Sequence, residues 1–163
     1  MGDDAPGEEE LTMAIWFKTY TLGEANARGR NSMLETLGIE LVEIGDDYLK
    51  GRVPVSERTR QPGGVLHGGA SVALAETLAS WAATMCVDPA KHYCVGLEIN
   101  ANHVRAAADG HVTGTARPLH LGRATHVWEI RIENADGKLV CVSRCTMAVL
   151  DRSSEYMKDR KPG

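Results

Sequence analysis

With 163 residues, 43% of them hydrophobic and 25% charged, the chain is long enough for one domain with its own core, and its composition excludes disordered and fibrous classes. The net charge of -4 arises in the first ten residues, where Asp3, Asp4, Glu8, Glu9 and Glu10 stand without a base; the rest sets 18 bases against 17 acids, with no Lys/Arg-rich run for a nucleic-acid surface. Neither a basic, apolar leader nor a membrane-length apolar run of about 18 residues is present, so the expectation is a cytoplasmic protein with no nucleic-acid and no membrane partner.

Residues 1–12 read as a disordered acidic tail ahead of a domain over 13–151. Residues 21–37 mix helix formers with polar breaks and predict one or two short helices packed at an edge. The runs 39–44 and 48–55 flank Gly45-Asp46-Asp47, a turn signal that predicts a β-hairpin. A long apolar helix is expected next, starting between His67 and Ser71 and ending near Val87, some 30 Å in length. Four strands follow, over 93–104, 111–117, 124–133 and 139–150. The third alternates, with Trp128, Ile130 and Ile132 on one face and Glu129, Arg131 and Glu133 on the other, and Asn134-Ala135-Asp136-Gly137 supplies the turn to the fourth. Residues 152–163 are a charged tail. One apolar helix among mostly antiparallel strands implies an α+β fold, a curved antiparallel sheet wrapped around a central helix. Such a sheet leaves an edge and a face to be covered, and oligomerisation is the usual cover.

Glu76 is the sole charged residue between Gln61 and Val87. A helix apolar on nearly every face is expected to be buried, and a carboxylate buried within it needs a partner or a function. It either caps an amide or pairs with an arginine, or it performs chemistry. Ahead of it, Gly68 and Gly69 let a ligand approach the backbone where a helix N-terminus presents free N–H groups, suited to a developing oxyanion. Ser80 lies at i+4 from Glu76, on the same face. His67 could equally be a helix-terminal residue satisfied by backbone, Gln61 a loop amide, and Ser80 a small packing residue. The four cysteines, Cys86, Cys94, Cys141 and Cys145, form no C-x-x-C pair and read as reduced, buried side chains. Six histidines are scattered without ligand spacing, so no metal is expected.

Three ordered blocks, TRQPGGVLHGGASVALAETLAS at 59–80, VGLEINANHVR at 95–105 and PLHLGRATHVWEI at 118–130, resemble the hotdog-fold acyl-CoA thioesterases. The branch they resemble includes the 1,4-dihydroxy-2-naphthoyl-CoA thioesterase of menaquinone synthesis and the proofreading thioesterase of enterobactin synthesis. The resemblance covers about residues 13–150 and implies hydrolysis of an acyl-CoA, aromatic or medium in its acyl group, with no cofactor, because coenzyme A is part of the substrate. It implies that Glu76 is the catalytic carboxylate, as nucleophile or general base. Gln61 and His67 would orient the thioester, the Gly68 amide would polarise its carbonyl, and Ser80 would position water. Coenzyme A contacts would fall on Gly96, His103, Val104, Arg105 and Ala106 and on His120, Leu121, Gly122, Arg123, Ala124 and Thr125, where Arg105 and Arg123 suit phosphates. A homotetramer, built as a dimer of dimers with active sites at subunit interfaces, is also implied. Gly63 departs from the branch, where a bulky aromatic often follows the Gln-Pro pair, and removes one wall of the acyl pocket; Ala124 and Thr125 also differ from some members. Two other readings are a non-catalytic acyl-CoA-binding module of the same fold, which has no use for Glu76 together with His67, and an enoyl-CoA hydratase, whose Asp/His motif is not found.

Overall fold

The structure of the chain, a computed structural model, describes residues 14–153. The acidic tail expected at 1–12 lies outside them, as do residues 154–163 of the charged C-terminal segment. Arg152, the first residue of that segment, continues the fold: its amide donates to the Lys91 carbonyl at 2.9 Å and its Nε to that of Pro89 at 2.6 Å.

Helices α1 (Leu22–Ala27) and α2 (Met33–Leu37) precede a hairpin of β1 (Glu40–Ile44) and β2 (Leu49–Pro54). Helix α3 (Gly68–Met85) follows, and then β3 (His92–His103), β4 (His111–Leu121), β5 (Thr125–Asn134) and β6 (Leu139–Asp151). Local chemistry explains the short helices. Thr21 and Glu24 cap α1 reciprocally, Ser32 caps α2, and Gly38 ends α2 at φ +71°, where a side chain would be strained. Asn26 ties α1 to the sheet through two bonds to Leu41, its Nδ2 donating to the carbonyl at 2.9 Å and its Oδ1 accepting the amide at 2.8 Å.

The six strands form one antiparallel sheet in the order β1-β2-β4-β5-β6-β3. Strand β4 runs past residue 117, its expected end, because a bulge between Pro118 and His120 absorbs the missing proline N–H. All strands from β2 to β6 touch α3, so the sheet wraps the helix. Leu74, Ala75, Leu78, Ala79 and Ala82 meet Trp128, Ile130 and Ile132, and all are fully buried. Gly51 and Gly114 face each other across β2 and β4, and a Cβ on either would lie 2.8 Å from the Leu78 side chain. The paired glycines therefore make a hollow for one leucine, whose burial contributes about 1.5–3 kcal/mol.

The expectation that α3 is buried on every side, with Glu76 inside, is overturned. Sheet contact covers Ala70, Ser71, Leu74, Ala75, Leu78, Ala79, Ala82 and Ala83, while Glu76 is exposed on the opposite face, beside half-buried Ala73, Thr77, Ser80 and Trp81. A single sheet covers one side of a helix. Apart from Glu76 and Trp81 the open side is built from small and hydroxyl-bearing residues, so it contrasts little with the covered side and leaves little amphipathic signature.

His126 shares the inner face of β5 with Trp128, edge to face at 6.4 Å, and is buried; among the described residues neither its Nδ1 nor the Trp128 Nε1 has a partner. Burial, seconded by the His120 charge and opposed by a backbone hydrogen bond with Gly122, holds its imidazole below the ordinary 6.5. A folded pKa below the unfolded one means that the unfolded chain takes the proton first. Stability is therefore complete above 6.5 and lost as pH falls beneath it. Urea unfolding should give a lower free energy at about pH 5.5 than at about pH 7.5, with a flatter dependence in His126→Leu. Equal dependences in the two proteins would contradict this assignment.

Candidate active site

Residues 56–67 form a loop that delivers the chain to the start of α3. Thr59 Oγ1 donates to the Pro54 carbonyl at 2.6 Å, the His67 amide donates to the Thr59 carbonyl at 2.8 Å, and the Leu66 amide donates to Ala107 at 2.8 Å. His67 is the N-cap, and its Nδ1 accepts the Gly69 amide at 2.8 Å. It is thus a helix-terminal residue satisfied by backbone, and more: with Nδ1 accepting, the neutral ring carries its proton on Nε2, a donor available to a ligand. The Gly68 amide has no acceptor among the described residues and sits at the positive end of an 18-residue helix. A Cβ at Gly68 would lie 2.8 Å from His103 Nε2, so glycine is what leaves that amide approachable. Gln61 Oε1 accepts the Gly63 amide at 3.0 Å, and a Cβ at Gly63 would crowd the same carboxamide at 3.1 Å.

These groups share one cavity of about 530 Å³ with the end of β3 and the turn after it. Gln61, His67 and Gly68 line it together with His103, Val104, Arg105 and Ala106. The first sequence block and part of the second therefore meet in space. The arrangement joins an anion-accepting amide to a neutral imidazole donor and a guanidinium at the rim, which suits a carbonyl at one end and a phosphate at the other.

Glu76 and Ser80 are not in that cavity. They belong to a second one of about 300 Å³, walled by Met33, Leu34, Ile39, Ala73, Thr77 and Trp81. The Glu76 carboxylate rests against Gly96 of β3, where a Cβ would lie 3.2 Å from Oε1. Ser80 Oγ reaches Met147 Sδ at 3.9 Å, a weak contact. Eight residues separate Gly68 from Glu76, about 12 Å along the helix axis at 1.5 Å per residue. Within one chain the residues of the first block thus fall in two separate cavities.

His120, Leu121, Gly122, Arg123, Ala124 and Thr125 line neither cavity. They make up the end of β4, the turn over 122–124 and the start of β5, closed by the Gly122 amide on the Thr125 carbonyl at 2.9 Å, and Leu121 is 40% exposed. Trp81, Met33 and Leu34 were not singled out from sequence. A signal existed for the first: Ala73, Thr77, Ser80 and Trp81 lie at i-3, i+1, i+4 and i+5 from Glu76, one helical face. The cysteines are all free thiols, and burial pushes Cys86 and Cys145 up to about 12 and Cys94 to about 11, so none is poised as a thiolate. Among the described residues no three His, Cys, Asp or Glu side chains are grouped to hold a metal ion, and no helix is long and apolar enough to cross a membrane.

Residues 63–141 match the Thioesterase superfamily. The chain is 49% identical over 83% of its length to the 1,4-dihydroxy-2-naphthoyl-CoA hydrolase of Escherichia coli, of which the match covers 99%. Its fold superposes with a TM-score of 0.84 on a thioesterase from Pseudomonas aeruginosa crystallised as a glutamine-to-alanine variant, at 50% identity over 85% of this chain and 99% of that one. A thioesterase from Staphylococcus aureus gives a TM-score of 0.71 at 42% identity over 73% of this chain and 98% of that one. That protein has been crystallised with a glutamate replaced by alanine and, separately, with a glutamine fifteen positions earlier replaced by alanine.

Proposed function

The chain belongs to the thioesterase superfamily and has its hotdog fold, and on that premise we propose that it hydrolyses an aromatic acyl-CoA to the free acid and coenzyme A. The observation that carries this reading is the pair of half-sites on α3: an unpartnered Gly68 amide with the His67 and Gln61 side chains at one end, and an exposed carboxylate on an otherwise uncharged face at the other. Hydrolysis needs both, but 12 Å of helix, about eight residues of rise, keeps them apart within one chain. Two chains packed against each other supply the missing half to each site. The fold leaves surface for such packing, since β3 is an open sheet edge with Leu97 62% exposed and the Glu76 side chain of α3 is exposed. A dimer, or a dimer of dimers, is the assembly this reading requires.

In the composite site the thioester oxygen accepts the Gly68 amide, while His67 Nε2 and the Gln61 carboxamide hold the carbonyl and thiol ends. Glu76 of the facing chain delivers the oxygen nucleophile, either its own carboxylate or a water it deprotonates beside Ser80; both routes need the carboxylate at the same place. Arg105 at the cavity rim, with Arg123 on the β4–β5 turn, meets the coenzyme A phosphates. No cofactor is needed, and a substrate of this kind places the protein in the cytoplasm. The glutamine and glutamate exchanged in the Staphylococcus relative have the spacing of Gln61 and Glu76, which supports assigning both to the site.

The E. coli relative's substrate makes the hydroxynaphthoyl thioester the first to try, alongside benzoyl-CoA and straight-chain acyl-CoAs. Thiol release from that panel is expected, with an aromatic thioester turned over fastest. Binding of the panel without release would convert the protein to a non-catalytic acyl-CoA module.

A further inference from the structure

Trp81 stands at i+5 from Glu76 and forms one wall of the 300 Å³ cavity in which the carboxylate lies. Met33 and Leu34 of α2 line the same cavity, which is therefore bounded by the central helix and by the small α1–α2 element outside the sheet. That element is fixed at two points. Asn26 pins it to the sheet edge by the two bonds to the Leu41 backbone, and Arg28, the residue that ends α1, lays its guanidinium over the Trp81 ring at 5.7 Å from the centroid. Beyond the second pin, Ser32 Oγ donates to the Gly29 carbonyl at 2.6 Å and keeps the α1–α2 turn tight.

A cation over an indole face attracts the ring and fixes its plane. Without it, a half-buried tryptophan on an open helix face has other rotamers to occupy. We infer that the Arg28–Trp81 contact sets the shape of the cavity beside Glu76, making Trp81 a specificity-determining residue for planar acyl groups and Arg28 a positioning residue that acts through it. The occupant is the acyl part of the substrate. The indole offers it a flat apolar surface to stack on, which rewards an aromatic ring over a flexible chain. This rests on the hydrolase reading above, because it places the acyl group next to the carboxylate that attacks its carbonyl.

The test compares kcat/KM for benzoyl-CoA and decanoyl-CoA in the full chain and in Arg28→Gln, Arg28→Lys, Trp81→Leu and the Arg28→Gln/Trp81→Leu double variant. Arg28→Gln should lower the benzoyl-to-decanoyl ratio about two- to fivefold, the size of one exposed cation–π contact. Arg28→Lys keeps a cation at the ring and should restore most of the ratio. Trp81→Leu should lower it by about tenfold or more, as reshaping an apolar subsite does. In the double variant the arginine exchange should add nothing, since its only route is the indole. Intact hydrolysis with an unchanged ratio in Arg28→Gln overturns this inference alone, as does a full Arg28→Gln effect in the absence of Trp81. No thiol release by the unmodified chain overturns the hydrolase reading and this inference with it.

Discussion

Glu76→Ala is expected to lower turnover of the best acyl-CoA by about 10³-fold or more, with the urea midpoint unchanged or raised. The two halves of that expectation come from different facts. Glu76 is exposed, and no hydrogen bond or ion pair holds its carboxylate among the described residues, so the fold loses no partner when it is removed. Alanine is also the best helix former, which favours α3 slightly. Chemistry, by contrast, loses the carboxylate assigned as base or nucleophile, and its neighbours do not replace it: Ser80 contacts nothing more basic than a methionine sulfur, and the Cys145 thiol is buried with its pKa pushed up to about 12, by burial first and by the Glu76 and Glu98 charges after it. A structural glutamate would give the opposite pattern, lower stability with turnover kept. Near-normal thiol release by the alanine variant would end the catalytic assignment.

The sequence announced the elements well where local chemistry decides them. The Gly45-Asp46-Asp47 turn, the alternation in 124–133 and the glycine pair after His67 each specify backbone geometry within a few residues, and the structure has a hairpin, a strand and a helix start at those places. What depends on the other side of an element was illegible. Glu76 looked buried because α3 is apolar or small all round, yet which face the sheet takes is decided by remote glycines at positions 51 and 114 that admit Leu78. The wall made by α2 was hidden for the same reason: nothing local to Met33 or Leu34 says that a helix more than 40 residues upstream of the carboxylate lines its cavity. The separation of the two groups was legible as arithmetic, eight residues of helix between the Gly68 amide and the Glu76 carboxylate, alongside the interface active site that the family resemblance implied.

That arithmetic leads to the second large effect. A Gln61→Ala/His67→Asn chain keeps the N-cap, because asparagine caps as well as any residue, but it removes both side chains proposed to hold the thioester. It should be almost inactive, as should Glu76→Ala. Unfolded and refolded together in equal amounts, the two dead proteins should recover about a quarter of the unmodified activity, the share expected when half the dimers are mixed and one of their two composite sites is intact. If a single chain supplied the whole site, every site in the mixture would carry a lesion and activity would stay at the level of the separate variants. Recovery after co-refolding, set against its absence when the separately folded proteins are merely combined and assayed at once, would show that Glu76 works on a thioester held by another chain's Gly68.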